Sequence, residues 1–241
     1  HCNNNFSKFK LDTMEELYKL NEKVKEKKEN GILVILDSLE KNKGTTLNYE
    51  EVITASEVVF SNNENLALPI NIIYTVPPFL TERIKNSIKF LPAIKVKTKE
   101  NIVFQKGIDA LKKLIYKRVS KDDIKIIFGN DYNEKLEKII KFSGGYPRDL
   151  LSTMRTIIRQ NYPIENKYID RILKNEENSF SELLNKDTEE ALKSVKDKKT
   201  IKNIDDIRMK DRLLNNHLIL RYRNEDLWFD IHPAVKELLE N

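Results

Sequence analysis

The uninterrupted apolar run of residues 32–36, with the sequence ILVIL, constrains the fold more than any other feature of this chain. A half-buried strand alternates apolar and polar residues, whereas a continuous apolar run is typical of a strand buried on both faces, as in a parallel sheet. Polar residues return directly after Leu36, in the sequence DSLEK. The pattern therefore predicts a central parallel strand with Asp37 at its carboxyl end.

Two further apolar segments are predicted strands, and helical periodicity fills the gaps between the strands. The second strand is predicted at 69–76 (PINIIYTV) and the third at 93–96 (AIKV). Predicted helices lie at 12–29, 49–60, 78–89 and 105–119. The first helix is expected to begin at the N-cap Asp12 or Thr13 and to stop near Gly31. Strands and helices that alternate at these intervals favour right-handed parallel crossovers in an α/β layer.

From about residue 105 the apolar spacing is helical only, which predicts a change of architecture near residue 100. We expect an α/β core over 1–102, an α-helical bundle over 103–176 and a third domain over 177–241. In the third domain, two helices precede an antiparallel hairpin, LRYR–NED–LWFDIH, and a short helix that begins at Pro233. The two helices are predicted at about 180–195 and 204–216. This order of elements predicts a winged helix-turn-helix.

The composition favours a helix-rich protein. Only 6 glycines and 7 prolines in 241 residues argue against an all-β sandwich, which needs many turns. The one cysteine, Cys2, excludes an internal disulfide and a cysteine-based zinc site. No apolar run approaches a membrane-spanning length and no signal peptide is visible, so a cytoplasmic protein without membrane contact is expected. The net charge of +5, from 43 basic and 38 acidic residues that are finely mixed, permits nucleic-acid contact without requiring it.

Three polar side chains occupy positions that suit a nucleotide phosphate or its magnesium ion. At the carboxyl end of a buried strand, the Asp37 carboxylate can reach a Mg²⁺ that bridges phosphates. Thr75 ends the second strand and would neighbour Asp37, where its hydroxyl can hold a water or a phosphate oxygen; alternatively, it caps the next helix. Arg148 falls in the first turn of a helix that begins at Pro147, where a cation opposes the helix dipole by up to about 1 kcal/mol. It is expected either to face an anion or to lie along the helix pair through its aliphatic stem.

Four segments in this order resemble the AAA+/STAND group of P-loop ATPases. They are ILVILDSLEK, IIYTVPPFL, FSGGYPRDLLSTMR and LRYRNEDLWFDIHPAV, and the resemblance covers roughly residues 12–241. It implies a partial parallel-sheet P-loop ATPase core followed by a helical lid and a winged helix. By this resemblance, Asp37 is the Walker B acid that organises Mg²⁺, Thr75 is in the sensor-1 position, and Arg148 is in the sensor-2 position of the lid.

The resemblance also implies a function. ATP and Mg²⁺ would bind between the core and the lid, and ATP hydrolysis or the exchange of ADP for ATP would switch the lid and the winged helix. The expected role is a molecular switch in a multi-protein assembly, formed with other subunits or by self-association. Bacterial antiviral defence is one setting that the family suggests.

Two departures from the family pattern bear on hydrolysis. Many AAA+ proteins carry a glutamate directly after the Walker B aspartate to polarise the attacking water, and here Ser38 takes that position. Glu40 is the nearest candidate for the same task. The sequence also contains no G-x-x-x-x-G-K-[ST] loop, since GTT at 44–46 lacks the lysine and the upstream glycine. Because the chain has no initiator methionine either, we expect the P-loop part to precede it and ATP hydrolysis to require that part.

Two other functions stay open on the sequence. A DNA-binding regulator with a degenerate nucleotide fold could use the winged helix, with Arg221, Arg223 and Lys236 as phosphate contacts. Acidic residues expected around the hairpin tip would repel a duplex; they are Glu225, Asp226 and Asp230. The second alternative is a non-catalytic interaction module in which the α/β layer only displays surfaces.

The remaining candidates have mainly structural interpretations. His232 has no partner His or Cys cluster at metal-ligand spacing, so a packed histidine in a turn is expected. Trp228 and Phe229 lie on the second strand of the hairpin and are expected to pack in the core. Arg83 follows the second parallel strand and is a candidate arginine finger for a neighbouring subunit's nucleotide.

Overall fold

The structure is a computed structural model that describes residues 2–27, 30–39, 48–61, 67–78, 80–84 and 88–240. The protein is mixed α/β and mostly helical, with a small two-stranded parallel sheet, which confirms the coarse fold class. It divides into two compact units, His1–Phe90 and Leu91–Asn241. The division into three domains at 102 and 176 stays a prediction.

The first unit contains the parallel sheet. Its elements are α1 (Cys2–Lys25), β1 (Leu33–Leu36), α2 (Tyr49–Ser61), β2 (Asn71–Tyr74) and the short α3 (Leu80–Arg83). β1 and β2 pair in parallel, with Leu33 opposite Asn71 and Leu36 opposite Tyr74. A small core forms between α2 and α3 from Ile53, Leu80 and Ile84. The predicted parallel pairing of the first two strands is confirmed.

The expectation that β1 is buried on both faces is wrong for the described residues. Leu33 is 57% exposed, Ile35 59% and Leu36 41%. Within the described part of this unit, the buried apolar cluster lies at α2 and α3 and not over the strand. A continuous apolar run shows only that a strand can tolerate burial, because the pattern does not specify which elements pack against it.

Helix α1 begins well before the predicted N-cap at Asp12 or Thr13. Residues 2–11 contain neither glycine nor proline, so nothing in them interrupts the helix. The helix also ends before Gly31, and the connection to β1 is held by Asn21, whose Oδ1 accepts from the Ile32 amide at 2.9 Å. Gly31 has φ +67°, and a Cβ there would lie 2.7 Å from that same oxygen. The glycine is therefore a turn residue ahead of β1.

The predicted third strand, 93–96, does not join the parallel sheet. The Ala93 amide donates to the Arg221 carbonyl and the Ile94 amide to the Gly145 carbonyl, both at 2.9 Å. Val96 is buried in the helical core of the second unit. The segment therefore belongs to the second unit, because its backbone groups are paired there and not with β1 or β2.

The second unit has two packed parts. The first is a helical cluster: α4 (Gln105–Tyr116), α5 (Lys121–Phe128), α6 (Tyr132–Phe142), α7 (Pro147–Ile157) and α8 (Asn166–Ser181). The second contains α9 (Lys186–Lys198), α10 (Ile207–Asn215), β3 (Ile219–Arg223), β4 (Leu227–Ile231) and α11 (Pro233–Glu240). Each part has its own buried apolar cluster, and α11 packs against α8.

The hairpin predicted near the C-terminal end is confirmed. β3 and β4 are antiparallel, with Ile219 opposite Ile231 and Arg223 opposite Leu227. Trp228 is 2% exposed and stacks on Tyr222 with ring centroids 4.5 Å apart, as the expected core packing requires. The Tyr222 hydroxyl donates to the Gly144 carbonyl at 2.6 Å. This bond connects the hairpin to the turn that precedes α7.

Candidate functional site

The carboxyl ends of β1 and β2 bring two of the predicted site residues side by side. Since Leu36 pairs with Tyr74, the next residues in register are Asp37 and Thr75. The Thr75 amide donates to the Leu36 carbonyl at 3.0 Å, and the Thr75 hydroxyl accepts from the Leu39 amide at 3.2 Å. Thr75 therefore fixes the chain that leaves β1.

Asp37 itself is exposed at this edge. Its Oδ1 accepts from the amide of Ser38 at 2.8 Å, and Ser38 has φ +70°, which marks a sharp turn directly after the strand. The carboxylate keeps further acceptor sites, because each of its oxygens can accept two hydrogen bonds. Glu40 and the GTT sequence at 44–46 lie outside the described residues.

Arg148 lies in the second unit, at the start of α7. The helix begins with Pro147, as predicted, and Gly144 (φ +58°) and Gly145 (φ +84°) form the turn before it. A Cβ on Gly145 would lie 1.7 Å from the Ile94 carbonyl oxygen, so this close approach requires glycine. The Arg148 side chain is exposed. The first unit thus holds Asp37 and Thr75, and the second holds Arg148.

Two other expectations are corrected by the observed contacts, and a third stays a prediction. Arg83 forms an ion pair with Glu57 at 2.8 Å within its own unit, and its role as an arginine finger for a neighbouring subunit stays a prediction. Arg221 is 5% exposed and its guanidinium lies over the Phe229 ring, so it is not a surface phosphate contact. Asp230 is buried away from the hairpin tip. Its carboxylate pairs with two lysines, Lys97 at 2.6 Å and Lys199 at 2.8 Å.

A cavity of about 250 Å³ lies in the second unit. Its wall comes from α6, α7 and α8, from the residues after α10 and from the residue before α11. The polar lining residues are Ser143, Asp149, Ser152, Thr153, Glu176, Ser179, Asn216, His217 and His232. Two aromatic rings complete the wall, those of Phe142 and Phe180. We refer to this space as the acidic cavity, after Asp149 and Glu176.

Asp149 faces two imidazoles without a hydrogen bond to either. Its Oδ2 lies 3.6 Å from Nδ1 of His217 and 3.7 Å from Nε2 of His232. The Nδ1 atom of His232 accepts from the Ala234 amide at 3.2 Å, which assigns the ring proton to Nε2. The His232 ring stacks on Phe180 at 4.8 Å. His232 is 1% exposed, and this burial lowers the pKa of its imidazole to about 4.

Glu176 is the second carboxyl group of the acidic cavity. Thr153 donates to its Oε2 at 2.7 Å. Burial raises the pKa of the Glu176 carboxyl, and the nearby charge of Asp149 raises this pKa further. The cavity therefore holds a neutral imidazole donor and a carboxyl group, Glu176, whose ionisation is opposed by burial and by the nearby Asp149.

Sequence reasoning assigned no role to Asp149, Glu176 or His217, and interpreted His232 as a packed turn histidine, which its burial confirms. A signal for Glu176 was present. It continues the apolar stripe Ile169, Ile172, Leu173 on α8 at helical spacing, so a carboxyl group occupies an inward-facing position. Asp149 and His217 carry no comparable local signal, because their neighbours in the cavity come from distant parts of the sequence.

No group of three or more His, Cys, Asp or Glu side chains among the described residues is arranged to hold a metal ion. In the part of the chain that the structure describes, no helix combines the length and apolar character needed to cross a membrane. The chain matches no family model, no curated protein and no solved structure.

Proposed function

We propose that this chain is part of an ATP-dependent molecular switch of the AAA+/STAND type that acts within a multi-protein assembly. The observation that supports it is the position of Asp37 and Thr75 at the adjacent carboxyl ends of two parallel strands. In open α/β sheets, ligands bind in the crevice outside the carboxyl ends of the strands. An acid and a hydroxyl at this edge suit a nucleotide with its magnesium ion.

The residues at the sheet edge fit Mg²⁺ held mainly by water and phosphate. Mg²⁺ keeps several waters and is usually bound through one or two carboxylates together with the phosphates of the substrate. Asp37 is exposed and offers a carboxylate, while Thr75 positions the turn next to it. When bound, the ion would neutralise charge on the phosphates. Glu40 remains the proposed group that polarises the attacking water.

In this proposal the phosphate-binding loop comes from residues outside these 241, since no G-x-x-x-x-G-K-[ST] sequence occurs among them. Arg148 would supply a further contact to phosphate. It lies at the N-terminus of α7, where backbone amides and the helix dipole favour anions. In this proposal the helices around α7 form the lid, and α9 to α11 with the β3–β4 hairpin form a winged helix.

The test uses the natural full-length protein, with nucleotide affinity measured by titration calorimetry with and without Mg²⁺. Asp37→Ala is expected to remove mainly the Mg²⁺-dependent part of the ATP affinity. Arg148→Ala is expected to weaken the binding of ATP more than the binding of ADP. The ratio of the two affinities should fall by about tenfold or more, since a charge-assisted contact is worth roughly 1.5–3 kcal/mol. Arg155→Ala, an exposed arginine in the last turn of the same helix, is the matched control.

An unchanged ATP/ADP ratio in Arg148→Ala, with lower stability, would assign Arg148 a structural role and contradict the proposal. The 241-residue chain alone is expected to bind ATP weakly or not at all. Micromolar ATP affinity of this chain alone would contradict the need for an external phosphate-binding loop.

The DNA-binding alternative has less support. Arg221 is buried, and the hairpin tip exposes Glu225 and Asp226 beside Arg223. A steep dependence of duplex affinity on salt concentration would favour this alternative, because such a slope reports the release of counterions from phosphate contacts. Retention of ATP-independent partner binding in Asp37→Ala would favour the non-catalytic interaction module.

A further inference from the structure

The acidic cavity lies beside two carboxyl groups, and the basic groups among its described lining residues are the imidazoles of His217 and His232. Asp149 and Glu176 both border it, and none of its described lining residues is a lysine or an arginine. His232 does not supply a positive charge, because burial holds the pKa of its imidazole at about 4. An occupant with a positive charge would therefore be attracted to this space.

Two buried polar atoms at the cavity lack a hydrogen-bond partner. They are Nε2 of His232, on a side chain 2% exposed, and Oδ2 of Asp149. At 3.7 Å these atoms are too far apart to bond with each other. A buried donor and a buried acceptor left unpaired cost about 1–3 kcal/mol each. An occupant that accepts from Nε2–H and donates to Oδ2 would satisfy both.

The aromatic part of the wall suits a cation as well. Phe142 and Phe180 border the same space as the two carboxyl groups. An organic cation near an aromatic face is attracted by the ring quadrupole, and more strongly where water is excluded. The volume of about 250 Å³ leaves room for a small molecule.

We propose that the acidic cavity binds a small organic amine that also bears a hydroxyl or carbonyl oxygen. Its ammonium group lies between Asp149 and Glu176, and its oxygen accepts from Nε2 of His232. This site lies within the second unit and needs neither ATP nor a phosphate-binding loop. It is an effector site that goes beyond the proposed nucleotide switch.

The test follows the ring C–H signals of the histidines by NMR in the full chain, without nucleotide. The sequence has three histidines, of which His217 and His232 border the cavity, and His1 serves as an internal reference. The probes form a matched set: aminobutanol carries an ammonium and a hydroxyl group, butylamine carries only the ammonium group, and butanediol carries hydroxyl groups without a charge. Aminobutanol is expected to shift the His217 and His232 signals saturably, butylamine to bind more weakly, and butanediol to have no effect.

Asp149→Asn and Glu176→Gln are each expected to lower the affinity for aminobutanol by about tenfold or more, because each variant loses a charge-assisted contact. Asp122→Asn, an exposed helical carboxylate, is the control and should leave the affinity unchanged. The fluorescence of the one tryptophan, Trp228, verifies that each variant is folded, and Glu176→Gln provides a second variant if Asp149→Asn does not fold.

Three results would overturn the proposal: no saturable shift at about 10 mM aminobutanol, equal binding of butanediol, or an affinity that both cavity variants leave unchanged. Equal binding of butanediol would assign the cavity to neutral polyols. Because no nucleotide is present, failure of this experiment does not affect the proposal of ATP binding. Failure of the nucleotide titrations likewise does not affect the proposal of amine binding.

Discussion

Lowering the pH from about 7 to about 5 is expected to destabilise the second unit through His232, by about 2 kcal/mol. Burial lowers the pKa of this imidazole from 6.5 to about 4, so between these values the unfolded chain binds a proton that the folded chain does not. The stability that the neutral His232 contributes is therefore fully present above pH 6.5 and is lost as the pH falls toward 4. One pKa unit corresponds to about 1.4 kcal/mol, and pH 5 lies about one and a half units below the pKa of 6.5 in the unfolded chain. The product of the two is about 2 kcal/mol.

Glu176 acts in the opposite direction and must be separated from His232. Burial raises the pKa of its carboxyl above 4.5, so this group contributes stability at low pH that is lost as the pH rises through the folded value. Acidification thus strengthens the unit through Glu176 while it weakens the unit through His232. The comparison of wild type with His232→Gln isolates the imidazole, because Glu176 and Asp149 are common to both.

The assay is urea denaturation followed by the fluorescence of Trp228, which lies in the second unit and is 2% exposed. Wild type is expected to lose about 2 kcal/mol more than His232→Gln between the two pH values. An equal loss in wild type and His232→Gln would refute the reasoning, since burial of the imidazole would then not oppose its protonation.

Three substitutions probe the packing of the second unit by denaturation. Gly145→Ala is expected to cost more than about 2 kcal/mol, because its Cβ would meet a backbone carbonyl at 1.7 Å, whereas Gly129→Ala has a similar φ but no atom nearer than 3.6 Å and should cost less. Asp230→Asn leaves two partly exposed lysines without their buried partner and is expected to cost about 3–5 kcal/mol, against a much smaller effect of the exposed Asp122→Asn. Tyr222→Phe removes one buried hydrogen bond and should cost about 1 kcal/mol; no loss would mean that this bond does not hold the glycine turn.

The parts of the fold that local chemistry specifies could be predicted from the sequence. A Gly-Gly pair followed by proline predicts the turn before α7, and two apolar runs around NED predict the hairpin, because each signal lies within a few neighbouring residues. The 93–96 segment was misassigned for the opposite reason. Its apolar residues suit a strand, but its hydrogen-bond partners, Gly145 and Arg221, are distant in the sequence.

Of the two candidate sites, one could be predicted from the sequence and the other could not. The parallel register that sets Thr75 beside Asp37 follows from the order of strands, so this neighbourhood could be predicted. The acidic cavity could not, because Asp149, Glu176 and His217 meet only when α7, α8 and the residues after α10 pack together. Of these residues, only Glu176 had a visible signal, a carboxyl group within an apolar helical stripe.

The contacts of Asp230 and of the segment after Phe90 bear on how the protein is completed during synthesis. Ala93 pairs with the backbone of Arg221, and Lys97 pairs with the carboxylate of Asp230. These two residues at the start of the second unit can therefore form their contacts only after the hairpin has been synthesised. The helices from α4 to α8 bury a cluster of their own and can pack while the ribosome is still translating. Ala93 and Lys97 gain these partners only once the hairpin has been synthesised, whereas Ile94 and Val96 already have partners in the helical part, so the segment can dock in two steps.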